Sequence, residues 1–270
     1  MVWGGCVWVL PPLSAGASGA SLALDLGPGV IHLWRLCWSG VQLPVNWLSE
    51  SERVYASQLR SWRRQREFCA CRAAWRAVLA RFYVPGGLSP AELALGTAAH
   101  GKPYLLNGCV SWNASHTKDW AVLAVTNAAY AIGCDVERLD RRIRAPEALA
   151  KRLGLMPSSD GVGAPANGSL PRQVLAYWSE REAVAKALGT GLGRLSTTWP
   201  RSLESLQIVT IPVVPDQVLA TVASSDTRTV QRIETFALDH LTLNEWSSLG
   251  RARPPDVGQQ LDAAVCTECE

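Results

Sequence analysis

Ile132-Gly133-Cys134-Asp135-Val136-Glu137 places Ile132, Cys134 and Val136 on one face of an extended chain and Asp135 with Glu137 on the other. That is the two-residue period of a β-strand, and it presents both acids together at the strand's end. Carboxylates held side by side repel, so each takes up a proton unless a cation neutralises them. Alone, such a pair reads first as the polar face of an edge strand.

A second acid changes that balance. Downstream, Trp178-Ser179-Glu180-Arg181-Glu182-Ala183-Val184-Ala185-Lys186 sits in a helix predicted over about Arg172 to Leu188 and stopped by Gly189. Leu175, Trp178, Glu182 and Ala185 fall on one line of that helix, so Glu182 lies in the apolar stripe and needs a partner. Lys186, four residues on, is the ordinary one, in a pairing that contributes only about 0.2–0.5 kcal/mol on an exposed helix. A hard cation such as Mg²⁺ shared by Asp135, Glu137 and Glu182 is the sharper reading, compatible with the first. Carboxylate-held Mg²⁺ with open positions suits phosphate chemistry.

Before the strand, Trp120 to Val125 reads as turning through Thr126-Asn127-Ala128-Ala129 into Tyr130 to Glu137, an antiparallel hairpin. Asn113-Ala114-Ser115-His116-Thr117 ends a further strand and gathers a hydroxyl and an imidazole at a turn, groups that suit a phosphate. Ile31 to Leu36 alternates as an opening strand. Ser49 with Glu52 forms a capping box for a helical region running to Tyr83, with Phe68, Cys71, Trp75, Leu79 and Phe82 along one stripe. Arg60, Arg63, Arg64, Arg66 and Arg72 make that region basic, and Arg72 falls beside the stripe, where its guanidinium can fork onto a phosphate. Gly101-Lys102-Pro103 is a turn with a cationic side chain beside it.

Short β segments are expected around Leu93 to Leu95 and Cys109 to Asn113, and a short helix near Pro146 to Leu153. A surface loop follows over Ser158 to Ser169, then strands at Leu206 to Val214, Gln217 to Val222 and Val230 to Leu238. Strand-rich segments with a long helix thus occur twice. The expected fold is α+β, a pseudo-dimer of two similar halves, each a small antiparallel sheet packed on a long helix. Residues 30–129 form the N-terminal half and 130–250 the C-terminal half, with loosely ordered tails at 1–29 and 251–270.

With 270 residues, 48% of them hydrophobic, the chain can bury a full core. A net charge of +3, from 26 Lys and Arg against 23 Asp and Glu, is too mild for a nucleic-acid footprint. Eight cysteines lack the short spacing of a disulfide framework, and Cys37, Cys69, Cys71, Cys109 and Cys134 are expected as buried thiols within apolar elements. Cys266 and Cys269 have metal-type spacing without a second pair, which favours a polar tail over a zinc site. Val2 to Leu10 lacks the basic flank of a signal peptide, and no run of 18 apolar residues exists. A soluble cytoplasmic protein, with no membrane and no nucleic-acid partner, is the expectation.

In order along the chain, Gly101-Lys102-Pro103, Asn113-Ala114-Ser115-His116, Gly133-Cys134-Asp135-Val136-Glu137 and the run from Trp178 through Gly189-Thr190-Gly191-Leu192 resemble the 4′-phosphopantetheinyl transferases of the Sfp type. The likeness spans about Ile31 to Leu238, and His32-Leu33-Trp34-Arg35 looks like that family's start. The resemblance implies transfer of the phosphopantetheine arm of coenzyme A to a serine of an acyl or peptidyl carrier protein, as in a holo-acyl-carrier-protein synthase. Adenosine 3′,5′-bisphosphate is the other product, and Mg²⁺ is the cofactor. Asp135, Glu137 and Glu182 would hold the metal, with Asp135, Glu182 and Lys186 as the catalytic set. Lys186 would contact the pyrophosphate; Ser115, His116, Arg72, Lys102 and Arg60 would bind the 3′-phosphorylated nucleotide. The implied protein is a monomer with internal pseudo-twofold symmetry and coenzyme A in the cleft between its halves.

Two departures stand out. The family usually has Lys before the metal-binding Glu, where this chain has Arg181, which cannot act as a base. Deprotonation of the carrier serine then falls to Glu182 or a metal-bound water. The linker from Gly154 to Pro171 also lacks the family's acidic helical piece. Both departures motivate a rival reading, a non-catalytic binder of coenzyme A or a carrier protein on the same fold. A blander reading is an α+β protein whose acids only decorate its surface.

Overall fold

A computed structural model of the chain describes residues 24, 26–38, 45–85, 88–155, 169–191, 206–215, 217–225 and 232–238. The surface loop expected after Ser158, both tails and the Cys266/Cys269 pair lie wholly or mostly outside those residues. Two compact units emerge, one from residues 26–38 and 94–238, the other from residues 24 and 45–93, counting described residues only.

The smaller unit is helical. Helix α1 (Glu50–Gln58) starts on the predicted capping box, with Ser49 accepting from the Glu52 amide and the Glu52 carboxylate from the Ser49 amide. Helix α2 (Trp62–Phe82) carries the buried Cys71, Trp75, Leu79 and Phe82. The single helical region expected up to Tyr83 is therefore two helices. Leu59 turns extended, and Ser61 accepts from the Arg64 amide, opening a new helix with its own cap. Arg76 is 3% exposed and satisfied by Glu52 (2.5 Å) and the carbonyls of Pro90 and Leu93.

In the larger unit, β1 (Val30–Cys37) runs antiparallel to β5 (Trp120–Asn127) and parallel to β9 (Arg232–Leu238), and β4 (Val110–Thr117) completes a sheet ordered β4-β5-β1-β9. A two-stranded piece pairs β2 (Leu95–Thr97) with β3 (Pro103–Leu105). A second sheet, β6-β8-β7, is wholly antiparallel: β6 (Ile132–Arg138), β8 (Val218–Ser224) and β7 (Gln207–Val214). Helices α3 (Pro146–Leu153) and α4 (Leu170–Leu188) belong to the same unit, and α4 ends, as expected, at Gly189 in a left-handed cap with φ 66°.

One expectation is overturned. Trp120 to Glu137 is not a hairpin, because β5 pairs with β1 and β4 whereas β6 pairs with β8 in the other sheet. The true hairpin is β4–β5, joined at Lys118-Asp119. The inward faces of the two sheets share one core, in which Ile132, Cys134 and Val136 meet Leu33, Val122 and Ala124. A strand buried on both faces cannot stay beside its sequence neighbour when that neighbour's free edge is taken up by another strand. Cys109, expected within an apolar element, is instead exposed before β4, while Cys71 and Cys134 are buried and burial holds their thiols above the usual range. Among the described residues no helix is long and apolar enough to cross a membrane.

His32 in β1 is 1% exposed, with Nε2 3.2 Å from Glu234 Oε2 and its ring edge-on to Phe236. Burial, then the charge of Arg232, lowers its pKa to about 4. An unfolded imidazole protonates near pH 6.5, so this residue contributes stability above that pH and loses it as pH falls through the folded value. Urea unfolding between about pH 7 and pH 4 is expected to lose up to ~1.4 kcal/mol per pH unit from this group. His32→Leu should flatten that slope; an equal slope in both proteins would contradict the assignment.

Candidate functional site

The site is built where α4 lies on β6. Residues 133, 135 and 137 share the strand face opposite the sheet-facing Ile132, Cys134 and Val136. Glycine at 133 is required by proximity: a Cβ there would fall inside 3.0 Å of the Ala183 carbonyl and the Ala187 amide, both backbone. The helix therefore rests directly on the strand, and the acids at 135 and 137 face the side chains that α4 sends down.

Asp135 is 3% exposed, and its Oδ1 accepts from Lys186 Nζ at 2.7 Å and from Ser115 Oγ at 2.8 Å. Lys186 also donates to Ser115 Oγ at 3.0 Å and lies 3.3 Å from Glu182 Oε2. The predicted Glu182–Lys186 pair thus forms, and both groups join Asp135 and Ser115 in one cluster. Glu137 Oε1 accepts from Arg141 at 2.6 Å. Burial, then Asp135, raises the pKa of Glu182 despite Lys186, and burial raises that of Glu137, with Asp135 and Glu182 adding to it against Arg141. Burial opposes the charge on Lys186, but Asp135, Cys134 and Glu182 more than offset it, and its pKa is raised.

All three predicted acids are therefore close enough to feel one another. Among the described residues they do not form a ready-made set of three metal ligands. The Lys186 ammonium contacts both Asp135 (2.7 Å) and Glu182 (3.3 Å) and supplies positive charge beside them. Two carboxylate oxygens, Asp135 Oδ2 and Glu137 Oε2, are nevertheless buried without a hydrogen-bond partner. Hard anionic oxygens left unsatisfied suit a hard divalent cation, and the residues present fit Mg²⁺.

The remaining predicted residues are distributed differently. Ser115 faces Asp135, but His116, next along β4, projects to the other side, exposed, its ring 5.9 Å from that of Trp38. Lys102 donates to the carbonyls of Ile132 (2.9 Å) and Ala187 (3.2 Å), tying the start of β6 to the last turn of α4. Its burial lowers its pKa. Arg72 belongs to the helical unit, 3.9 Å from Glu52 and over the Phe68 ring, and Arg60 is exposed between α1 and α2. Arg181 is 4% exposed, lies over the Tyr177 ring and donates to its hydroxyl.

Two contributors were not singled out from the sequence. Asn113, 5% exposed, accepts from the Cys134 amide and so fastens β4 to β6. Arg141 neutralises Glu137; its signal was the basic run Arg138, Arg141, Arg142 and Arg144 directly after the acids.

Residues 131–247 match the family model of the 4′-phosphopantetheinyl transferase superfamily. The chain is 28% identical over 193 residues to the 4′-phosphopantetheinyl transferase HetI of Nostoc sp., a stretch covering 68% of this chain and 76% of that protein. It is 30% identical over 124 residues to a phosphopantetheinyl transferase of Thraustochytrium sp., covering 39% of this chain and 41% of the relative. The matched segment opens one residue before β6 and takes in all of α4, so the part of the chain that is similar to the 4′-phosphopantetheinyl transferase superfamily contains every acid of the cluster.

Proposed function

We infer that this protein transfers the 4′-phosphopantetheine arm of coenzyme A to a serine of a carrier protein, releasing adenosine 3′,5′-bisphosphate. The observation that carries the reading is the cluster of Asp135, Glu182 and Lys186, all within the segment that matches the family model, with Ser115 of β4 bonded to Asp135 and Lys186. The relatives carry names of transferases, which disfavours a non-catalytic binder.

Asp135, Glu137 and Glu182 would hold Mg²⁺, which when bound offsets charge on the pyrophosphate and on the leaving phosphate. Glu182 is proposed to accept the proton of the carrier serine. The serine oxygen then bonds to the phosphorus bearing the pantetheine arm, and the bond from that phosphorus to the nucleotide oxygen breaks. Arg181 has no part in proton transfer, being a guanidinium laid over Tyr177.

Lys186 is held by Asp135 and Ser115 and lies close to Glu182, so contact with the pyrophosphate requires one of these partners to be exchanged for it. For the nucleotide end we propose His116, Lys102 through its remaining N–H, and Arg72 and Arg60 on their chemistry and the family resemblance. The finer reading is an Sfp-type, Mg²⁺-dependent, cytoplasmic monomer, with residues 30–129 and 130–250 as its related halves.

The test is direct. The protein, coenzyme A, Mg²⁺ and a panel of apo acyl and peptidyl carrier proteins are combined, and the carrier mass is read. Addition of the arm to at least one carrier, lost on chelation of the metal, is expected. No addition across the panel would defeat the proposal.

A further inference from the structure

Beside the carboxylate cluster, and separate from it, the segment Arg141–Arg144 together with α3 and α4 encloses a cavity of about 540 Å³. Five of its eleven described lining residues are arginines, and none is acidic. Arg141 is committed to Glu137. By contrast Arg142, Arg144 and Arg152 have no carboxylate within ion-pairing distance among the described residues, although they border one small space.

Arg181 adds a cation at the wall that is 4% exposed and fixed over the Tyr177 ring. The rest of the lining is hydrocarbon and indole. Leu153 and Val174 are buried, and Ile143, Leu149 and Trp178 pack against them.

Gathering guanidinium groups raises their mutual repulsion, which an anion relieves. Guanidinium grips carboxylate or phosphate through paired N–H donors, and the volume falls in the range of about 300–1,000 Å³ typical of small-molecule sites. An apolar floor under a cationic rim excludes bare inorganic anions as the best match, since they leave the floor uncovered. A neutral apolar molecule leaves the rim unused. We propose that this cavity binds a small amphipathic organic anion, a carboxylate or phosphate head on a short hydrocarbon body, with Arg142, Arg144, Arg152 and Arg181 holding the head and Leu149, Leu153 and Trp178 the body.

The full-length protein, saturated with coenzyme A so that the coenzyme site is occupied, is titrated calorimetrically with octyl phosphate, octanoate, inorganic phosphate and octanol. One of the first two is expected to bind at 1:1 stoichiometry, at least tenfold tighter than inorganic phosphate and octanol, and the tighter of the two identifies the preferred head. The double substitution Arg144→Gln with Arg152→Gln changes exposed residues, so its melting temperature should stay unchanged while that affinity falls at least tenfold. The proposal is overturned if octanol binds as tightly as octyl phosphate and octanoate, or if the double variant binds them as wild type does. It is also overturned if neither anion binds while the variant loses affinity for apo carrier protein, which would make the cavity part of a protein interface. These titrations do not depend on transfer activity, so their failure is distinguishable from failure of the transferase reading.

Discussion

Asp135→Ala is expected to lower kcat/KM for carrier modification by at least about a hundredfold, the scale on which removing one fixed electrostatic group acts. The cause is not the loss of one carboxylate alone. Asp135 Oδ1 organises both Lys186 and Ser115, and its Oδ2 is one of the two buried oxygens open to a cation. Without it Lys186 keeps only Ser115, at 3.0 Å, and Glu182, at 3.3 Å, and loses the shortest of its three contacts. Folding should survive. Lys186 is 27% exposed and retains a carboxylate, so the expected loss of stability is about 1–3 kcal/mol. Turnover by Asp135→Ala equal to wild type, with matched melting curves, would remove the catalytic role assigned to this cluster. Asp135→Asn separates shape from charge, and the same collapse in turnover is expected of it.

Gly133→Ala is the second large effect, and it acts on structure first. The added methyl group meets the carbonyl of Ala183 and the amide of Ala187, which are parts of a helix and cannot rotate aside as a side-chain tip can. Helix α4 must therefore lift from β6. Overpacking usually costs about 1–3 kcal/mol, and a clash with backbone belongs at or beyond the upper end of that range. Lifting α4 also draws Lys186 away from Asp135 and breaks the ties from Lys102 to Ile132 and Ala187. Urea unfolding and transfer activity should fall together, whereas in Asp135→Ala activity falls far more than stability. A Gly133→Ala protein with wild-type stability and activity would show that the close approach of strand and helix is not what builds the site.

Much of this was legible from the chain. The period-two pattern at Ile132 to Glu137 and the stripe position of Glu182 identified the acids that meet, and the capping box, Gly189 and three late strands were readable from local chemistry. Partner choice was not. Trp120–Asn127 and Ile132–Arg138 are both strands, yet strand-forming residues do not encode which edge each strand joins, and burial on both faces of β6 drew it to β8. The break at Leu59–Ser61 was hidden because the apolar stripe resumes after it. Lys102 looked like a phosphate ligand because a turn lysine ordinarily faces water; only the meeting of β6 and α4 supplies the carbonyls that occupy it. Similarly, Lys186 was read as the helix partner of Glu182, and the shorter contact with Asp135 follows from a strand fifty-one residues away in the chain.

The parallel pairing of β1 with β9 sets a timetable for synthesis. Val30–Cys37 leaves the ribosome early and finds β5 midway, but its other border awaits Arg232–Leu238, whose Phe236 stacks on Trp34 at 4.4 Å. Until that late strand emerges, a nascent chain carries Trp34 and the main-chain donors and acceptors of β1 uncovered on one side, an invitation to chaperones or to a neighbouring polysome product. A gene truncated ahead of codon 232 should consequently yield inclusion bodies, even though every acid of the cluster would still be encoded.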